Sequence, residues 1–174
     1  MYYVIQVAPR EENQVETLIR ELLPSDVCRQ CFHLRRHILK KYHGEWHDVH
    51  EKLLPGYVFV ETDDIERVRC SMQKIDRFAQ VLGKENEDII ALGDEDVAWL
   101  ECLIEKSDNY EVALSQVDLA IDGTAQFMSG PLKSLNCFVK EINLHKRVAK
   151  VQICIKDRKI MIHLGFYINM KSHH

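Results

Sequence analysis

Glycine is scarce, with seven in 174 residues, and none falls in G-x-G-x-x-G or G-x-x-x-x-G-K-S/T. Loops that wrap their backbone around a dinucleotide or a nucleoside triphosphate need those spacings, so that chemistry is not expected. GTAQFMSGPLKS combines Gly, Lys and Ser, but two residues separate Gly130 from Lys133 and no phosphate loop results. A G-x-S-x-G nucleophile elbow is also missing. The carboxylates of Asp94, Glu95 and Asp96 sit where a helix starts and complement its dipole. Nothing here points to an enzyme or to a cofactor. Long apolar runs are absent too, none approaching the ~18–20 residues that span a bilayer. The opening MYYVIQVAPREE has no basic n-region, no long h-region and no small-residue cleavage site. The expectation is a monomeric cytoplasmic protein with no membrane partner. Six cysteines are scattered among core-like sequence, without the density of a disulfide scaffold, and read as reduced thiols.

What is present is an ordinary globular mix, 46% hydrophobic and 29% charged. The net charge of −4 hides a split: residues 116–174 carry nine Lys/Arg against four Asp/Glu, and the preceding part is strongly acidic. Such a split suggests two modules with different partners.

YYVIQVA reads as a strand, being aromatic and β-branched. Val15, Leu18, Ile19, Leu22 and Leu23 recur at helical spacing between Pro9 and Pro24. Cys31–Lys41, a Gly44-centred turn and Trp46–Leu53 predict a long hairpin. Tyr57–Val60 is a nearly continuous β run after a Pro-Gly break, as a central strand covered on both faces would be. Asp63 and Asp64 can cap a helix carrying Ile65, Val68, Met72 and Ile75. A short strand over Phe78–Gly83 and a helix from Asp94 complete an α+β domain over residues 1–105. Residues 106–116 read as a linker, with a strand over YEVAL as the alternative. From 117 to 174 helix signals vanish, and about five short β runs predict a small all-β barrel, whose closure removes exposed edges. Val148, Val151, Ile153 and Ile155 mark one wall of it.

Residues 28–43 contain Arg29, Arg35, Arg36, Lys40 and Lys41 and no acid. A solvated hairpin protected from edge aggregation would look like this. So would an RNA contact, in which Arg forks meet phosphates and His37 or a Tyr stacks on bases. The barrel carries a second cluster, Lys133, Lys140, His145, Lys146, Arg147 and Lys150, and two basic surfaces favour RNA over either alone. Cys28-x-x-Cys31 followed by His43-x-x-x-His47 imitates a two-Cys, two-His finger, but Gly44 denies the histidines a helical face, so no metal is expected. Five of nine histidines (His33, His37, His43, His47, His50) gather in this stretch, as solvated or RNA-contacting residues also would. Aromatics around LLPGYVFV are either core or an exposed groove for a partner helix. Periodicity leaves both open.

YYVIQV, a helix, a variable hairpin, LLPGYVFVE and FAQVLG together resemble the N-terminal (NGN) domain of the NusG family of transcription elongation factors. VDLAIDGTAQFMSGPLKSLNCFVKEINLHKRVAKVQICIKDRKIMIHLGFYI resembles that family's KOW domain. The hairpin and the His-Lys-Arg turn look most similar to LoaP-type antitermination paralogs. Tyr2 stands where the family tends to have Trp, and Ser134 and Cys137 where glycines are usual. The resemblance implies an NGN-like antiparallel sheet flanked by helices and an SH3-like KOW barrel. It also implies docking of Tyr2, Tyr3, Leu54, Pro55, Gly56, Tyr57 and Phe59 on the clamp helices of RNA polymerase's largest subunit. By the same likeness, Arg29, Arg35, Arg36, His37, Lys40, Lys41, Lys133, Lys140, His145, Lys146 and Arg147 hold a nascent RNA hairpin. A housekeeping elongation factor whose KOW domain binds a ribosomal protein or Rho is the alternative, and a ribosome-associated KOW protein a further one.

Overall fold

A computed structural model describes residues 1–73 and 89–169. Contacts divide the chain into two compact units, Met1–Leu34 with Leu54–Val97, and Arg35–Leu53 with Ala98–His174. The elements are mixed α and β throughout.

The first unit is an antiparallel sheet of β1 (Tyr2–Gln6), β2 (Cys28–Phe32), β5 (Tyr57–Thr62) and β6 (Ile89–Ala91), in the order β2-β5-β1-β6. The Tyr57–Val60 run is central as expected, with Val58, Phe59 and Val60 fully buried from both faces. Alternation sends Ile5, Val7, Val58 and Val60 to one side, where Val15 and Ile19 of α1 (Glu12–Leu22) and Val68 and Met72 of α2 (Ile65–Gln73) cover them. Asp64 caps α2, its Oδ1 accepting the Arg67 N–H at 3.1 Å. Gly56 stands at φ +85°, and its N–H donates to the buried Glu12 carboxylate at 2.7 Å. That bond ties the start of α1 to the turn before β5. The strand expected over Phe78–Gly83, Ile75, and the closing Ser172-His173-His174 lie outside the described residues.

The second unit begins with the hairpin β3 (Arg35–Tyr42) and β4 (Glu45–Lys52). His43 and Gly44 alone join the strands, at φ 49° and 82°, the left-handed pair that a tight hairpin turn demands. The helix α3 (Asp94–Glu105) enters this unit from Ala98 onward, and the Trp99 indole N–H donates to the Cys154 carbonyl at 2.9 Å.

Residues 106–116, read as a linker, form β7 (Ser107–Asp108), β8 (Glu111–Val112) and the start of β9 (Ser115–Leu119). β8 falls within YEVAL, the alternative strand, whereas a two-residue strand such as β7 is too short to leave a periodic trace. The remaining strands are β10 (Ala125–Ser129), β11 (Val139–Asn143), β12 (Val148–Ile155) and β13 (Arg158–Ile168), and the five pair as β10-β9-β13-β12-β11. The small all-β module is therefore present, with two corrections. A short helix, α4 (Pro131–Ser134), and a 3-10 turn at Asn136–Phe138 interrupt it, because Pro131 presets helical φ behind Gly130. On β12 the inward residues are Ala149, Val151, Ile153 and Ile155, so Val148 faces the other way, as strict alternation requires.

One glycine decides how the hairpin joins this module. A Cβ on Gly165 of β13 would stand 2.9 Å from the His37 carbonyl oxygen and 3.0 Å from the Ile38 Cα. Only hydrogen leaves room for β3 to lie that close.

Candidate nucleic-acid interface

Period-2 alternation sorts the hairpin into two faces. Arg36, Ile38 and Lys40 share one with Val49 and Glu51; Arg35, His37, Leu39 and Lys41 share the other with Trp46, Asp48 and His50.

On the first face Arg36 is anchored inward. Its Nη2 donates to Glu51 Oε2 at 3.1 Å and its Nη1 donates to the His163 carbonyl oxygen on β13, leaving 13% of the side chain exposed. Lys40 bonds the other oxygen of the same carboxylate. Lys40 above all, and then Arg36, hold the Glu51 carboxyl below its ordinary value. Burial, aided by the Arg36 charge, lowers the His163 imidazole. Arg36 was expected to face RNA; the structure engages it in fastening the hairpin to β13.

Other cations of the acid-free run also meet acids supplied from elsewhere. Arg29 belongs to the first unit, where it forks onto Asp63 at 2.6 and 3.1 Å and reaches Glu61 at 3.3 Å. That guanidinium brings the exposed Asp63 down to about 2. Arg35 stands 3.8 Å from Glu111, and His37 Nδ1 lies 2.9 Å from Asp48. An acid-free stretch of sequence is thus not an acid-free surface.

Parts of the two basic clusters, Lys40 and Lys41 of one and His145, Lys146 and Arg147 of the other, meet at the hairpin tip. The β11–β12 turn folds back beside β3 and encloses a cleft of about 420 Å³. Lys40, Lys41, Tyr42 and Trp46 line it from the hairpin, and His145, Lys146 and Val148 from the turn. The Lys41 ammonium is 5.8 Å and the Arg147 guanidinium 5.4 Å from the Trp46 ring centroid, both within cation–π reach. The turn is built for this. Asn143 Oδ1 accepts the Lys146 N–H at 2.9 Å, Arg147 takes φ 57°, and its carbonyl accepts the Phe166 N–H at 3.0 Å. Exposed aromatic rings beside cations can stack a base while the cations meet its phosphate. Lys133 on α4 and Lys140 on β11 are exposed but do not line the cleft.

Trp46 and Tyr42, exposed and central here, were not among the residues the sequence singled out. A tryptophan beside a hairpin turn, opposite Lys41 in register, was the available signal. Of the finger-like spacing, Cys28 and Cys31 lie on β2 of the first unit, and in the second unit His43 stands in the β3–β4 turn and His47 on β4.

In the first unit, Tyr2, Tyr57 and Phe59 face away from α1 and α2. Tyr2 and Tyr57 are half-buried and Pro55 is exposed. Phe59 is fully buried, its ring stacked on Phe32 with centroids 5.5 Å apart, and Leu54 and Gly56 are buried as well. Tyr3 alternates onto the side of Ile5, the side the helices cover.

A family profile described as "Transcription termination factor nusG" matches residues 1–101. The transcription termination/antitermination protein NusG of Halalkalibacterium halodurans is 23% identical over 172 residues, covering 95% of this chain and 94% of its own. Among solved structures, Thermotoga maritima NusG aligns with a TM-score of 0.46 at 19% identity, over 94% of this chain and 92% of that one. An MjSpt4:Spt5 complex aligns with a TM-score of 0.35 at 14% identity, over 95% and 93%. With more than half of its length matched by that profile, the chain belongs to the NusG family of transcription factors.

Proposed function

We propose that this protein is an elongation and antitermination factor that binds RNA polymerase through its first domain (residues 1–105). Its hairpin and its C-terminal module (residues 117–174) recognise a hairpin in the nascent RNA, promoting read-through in selected operons. The observation that carries the reading is the cleft at the hairpin tip, where Lys41, Trp46, His145, Lys146 and Arg147 come from two distant stretches of chain. Two sources of cations around one indole suit a structured RNA better than either patch would alone. On the polymerase side, Tyr2, Pro55 and Tyr57 supply the contact, and Leu54, Gly56 and Phe59 give the surface its shape. A factor held to both polymerase and transcript acts at high effective concentration. About 1.4 kcal/mol of preference for the elongating state shifts a pausing equilibrium tenfold.

The test is an RNA selection with the full chain at stated salt, followed by transcription through a terminator with purified polymerase. Enrichment of one hairpin family, and read-through that depends on it, are expected. Equal binding of all hairpins would sink the specificity. Binding of Rho or a ribosomal protein by the full chain, with no RNA preference, would favour a housekeeping factor. The intact protein is required because residues 35–53 belong to the same compact unit as the C-terminal module.

A further inference from the structure

The hairpin carries a second cluster whose chemistry is not that of RNA binding. β8 joins β3 through two residue pairs, Arg35↔Glu111 and Arg36↔Val112. This sets Glu111 beside the cross-strand pair His37↔His50. Alternation puts Arg35, His37, His50 and Glu111 on one face of the sheet. The imidazole centroids are 4.1 Å apart, and His50 Nδ1 is 2.6 Å from Glu111 Oε1. That carboxylate oxygen is shielded from solvent yet makes no hydrogen bond of good geometry. One potential ligand atom from each of the three side chains lies within 4.8 Å of the others.

Two imidazoles and a carboxylate form the donor set of a borderline divalent ion, and three protein ligands leave a fourth position for water. Ligand bonds of about 2.0–2.2 Å require the three donors to draw round a common centre. His37 and His50, 26% and 45% exposed, have room for the side-chain rotations this needs. Asp48 adds an outer partner. Its Oδ2, 2.9 Å from His37 Nδ1, accepts a hydrogen bond from that nitrogen in the tautomer that leaves the Nε2 lone pair free for a metal. Arg35, 3.8 Å from Glu111, is the cation an incoming ion would have to oppose.

We infer that His37, His50 and Glu111 form a binding site for a zinc-type divalent ion. The ion would staple β4, β3 and β8 together and brace the base of the hairpin. Chain spacing conceals the site, because Glu111 lies about sixty residues beyond His50.

The experiment titrates chelator-stripped full-length protein with Zn²⁺ and with Co²⁺ near neutral pH, by calorimetry and absorption. One equivalent is expected, without a thiolate-to-cobalt charge-transfer band. His50→Gln and Glu111→Gln should each weaken Zn²⁺ binding at least about tenfold, since loss of even outer-sphere partners has that effect. Cys28→Ser with Cys31→Ser should leave it unchanged. Arg35→Gln keeps all three ligands and removes the opposing cation, so it should tighten binding a few-fold, and it carries the test if a ligand variant fails to fold. Absence of stoichiometric binding would overturn the site. So would unchanged affinity in the folded ligand variants, loss of binding in the cysteine variant, or unchanged or weaker binding in Arg35→Gln.

Discussion

Arg147 lies over the indole of Trp46, its guanidinium carbon 5.4 Å from the ring centroid, although about a hundred residues separate the two in sequence. The contact joins the tip of the β3–β4 hairpin to the β11–β12 turn, and so converts two basic stretches into one cleft. Removing the ring tests that cleft. Trp46→Ala should lower RNA affinity by about 1–3 kcal/mol, the range of one base–aromatic stack. Fluorescence anisotropy at fixed salt would show it. An unchanged dissociation constant would remove the stack from the mechanism.

In the proposed RNA contact Lys41 and Lys146 would act differently, through phosphates. Neutralising either to Gln should weaken binding of all RNAs about uniformly and reduce the slope of log affinity against log salt by about one. Arg36→Gln should instead leave that slope unchanged and lower stability by about 1–3 kcal/mol, because Arg36 serves Glu51 and the His163 carbonyl. A salt series with each variant, beside a urea midpoint, separates the two roles.

Glu51 gives the anchor a pH signature. Its carboxyl is held below the ordinary value of 4.5, chiefly by Lys40, with Arg36 adding to the effect. A depressed carboxylate contributes stability that is fully present above the unfolded value and is lost as pH falls through the folded one. The hairpin should therefore hold at neutral pH and loosen below about pH 4.5. Glu51→Gln should flatten that part of the stability–pH profile, measured by thermal melts between pH 3 and 7. An identical profile in the variant would show that the pairing carries no stability.

The helices α1 and α2 were legible from the helical spacing of Val15, Ile19 and Val68, which face the core; β1 was legible from its aromatic and β-branched residues, and β5 from a nearly continuous run that is buried on both faces. The turn was legible through Gly44, which stands at φ 82° beside His43 at φ 49°. The partners of charges were not legible. The run from 28 to 43 contains no acid, yet Glu51, Asp48, Glu61, Asp63 and Glu111 arrive from elsewhere in the chain to meet its cations. Nor could spacing reveal that residues 35–53 share a compact unit with the C-terminal strands, since that follows from a close approach of backbones. Phe59 shows the same limit from the other side, because alternation gives its face but not what fills the space over it.

That close approach offers the sharpest test of the cleft. Gly165→Ala would place a methyl 2.8 Å from the Leu114 Cδ2, 2.9 Å from the His37 carbonyl oxygen and 3.0 Å from the Ile38 Cα. The leucine end can swing aside, whereas the β3 backbone can yield only by lifting the hairpin from β13. Overpacking of this kind costs about 1–3 kcal/mol. The displacement would stretch the Arg36 bond to His163 and draw Trp46 away from Arg147, without deleting any side chain of the cleft. RNA affinity should fall towards that of Trp46→Ala while polymerase binding, assigned to the first unit, persists. Adding Trp46→Ala to Gly165→Ala should then cost less than it does in the parent protein, because the two changes damage one arrangement. Strict additivity in that cycle would mean that the hairpin and the turn bind RNA independently.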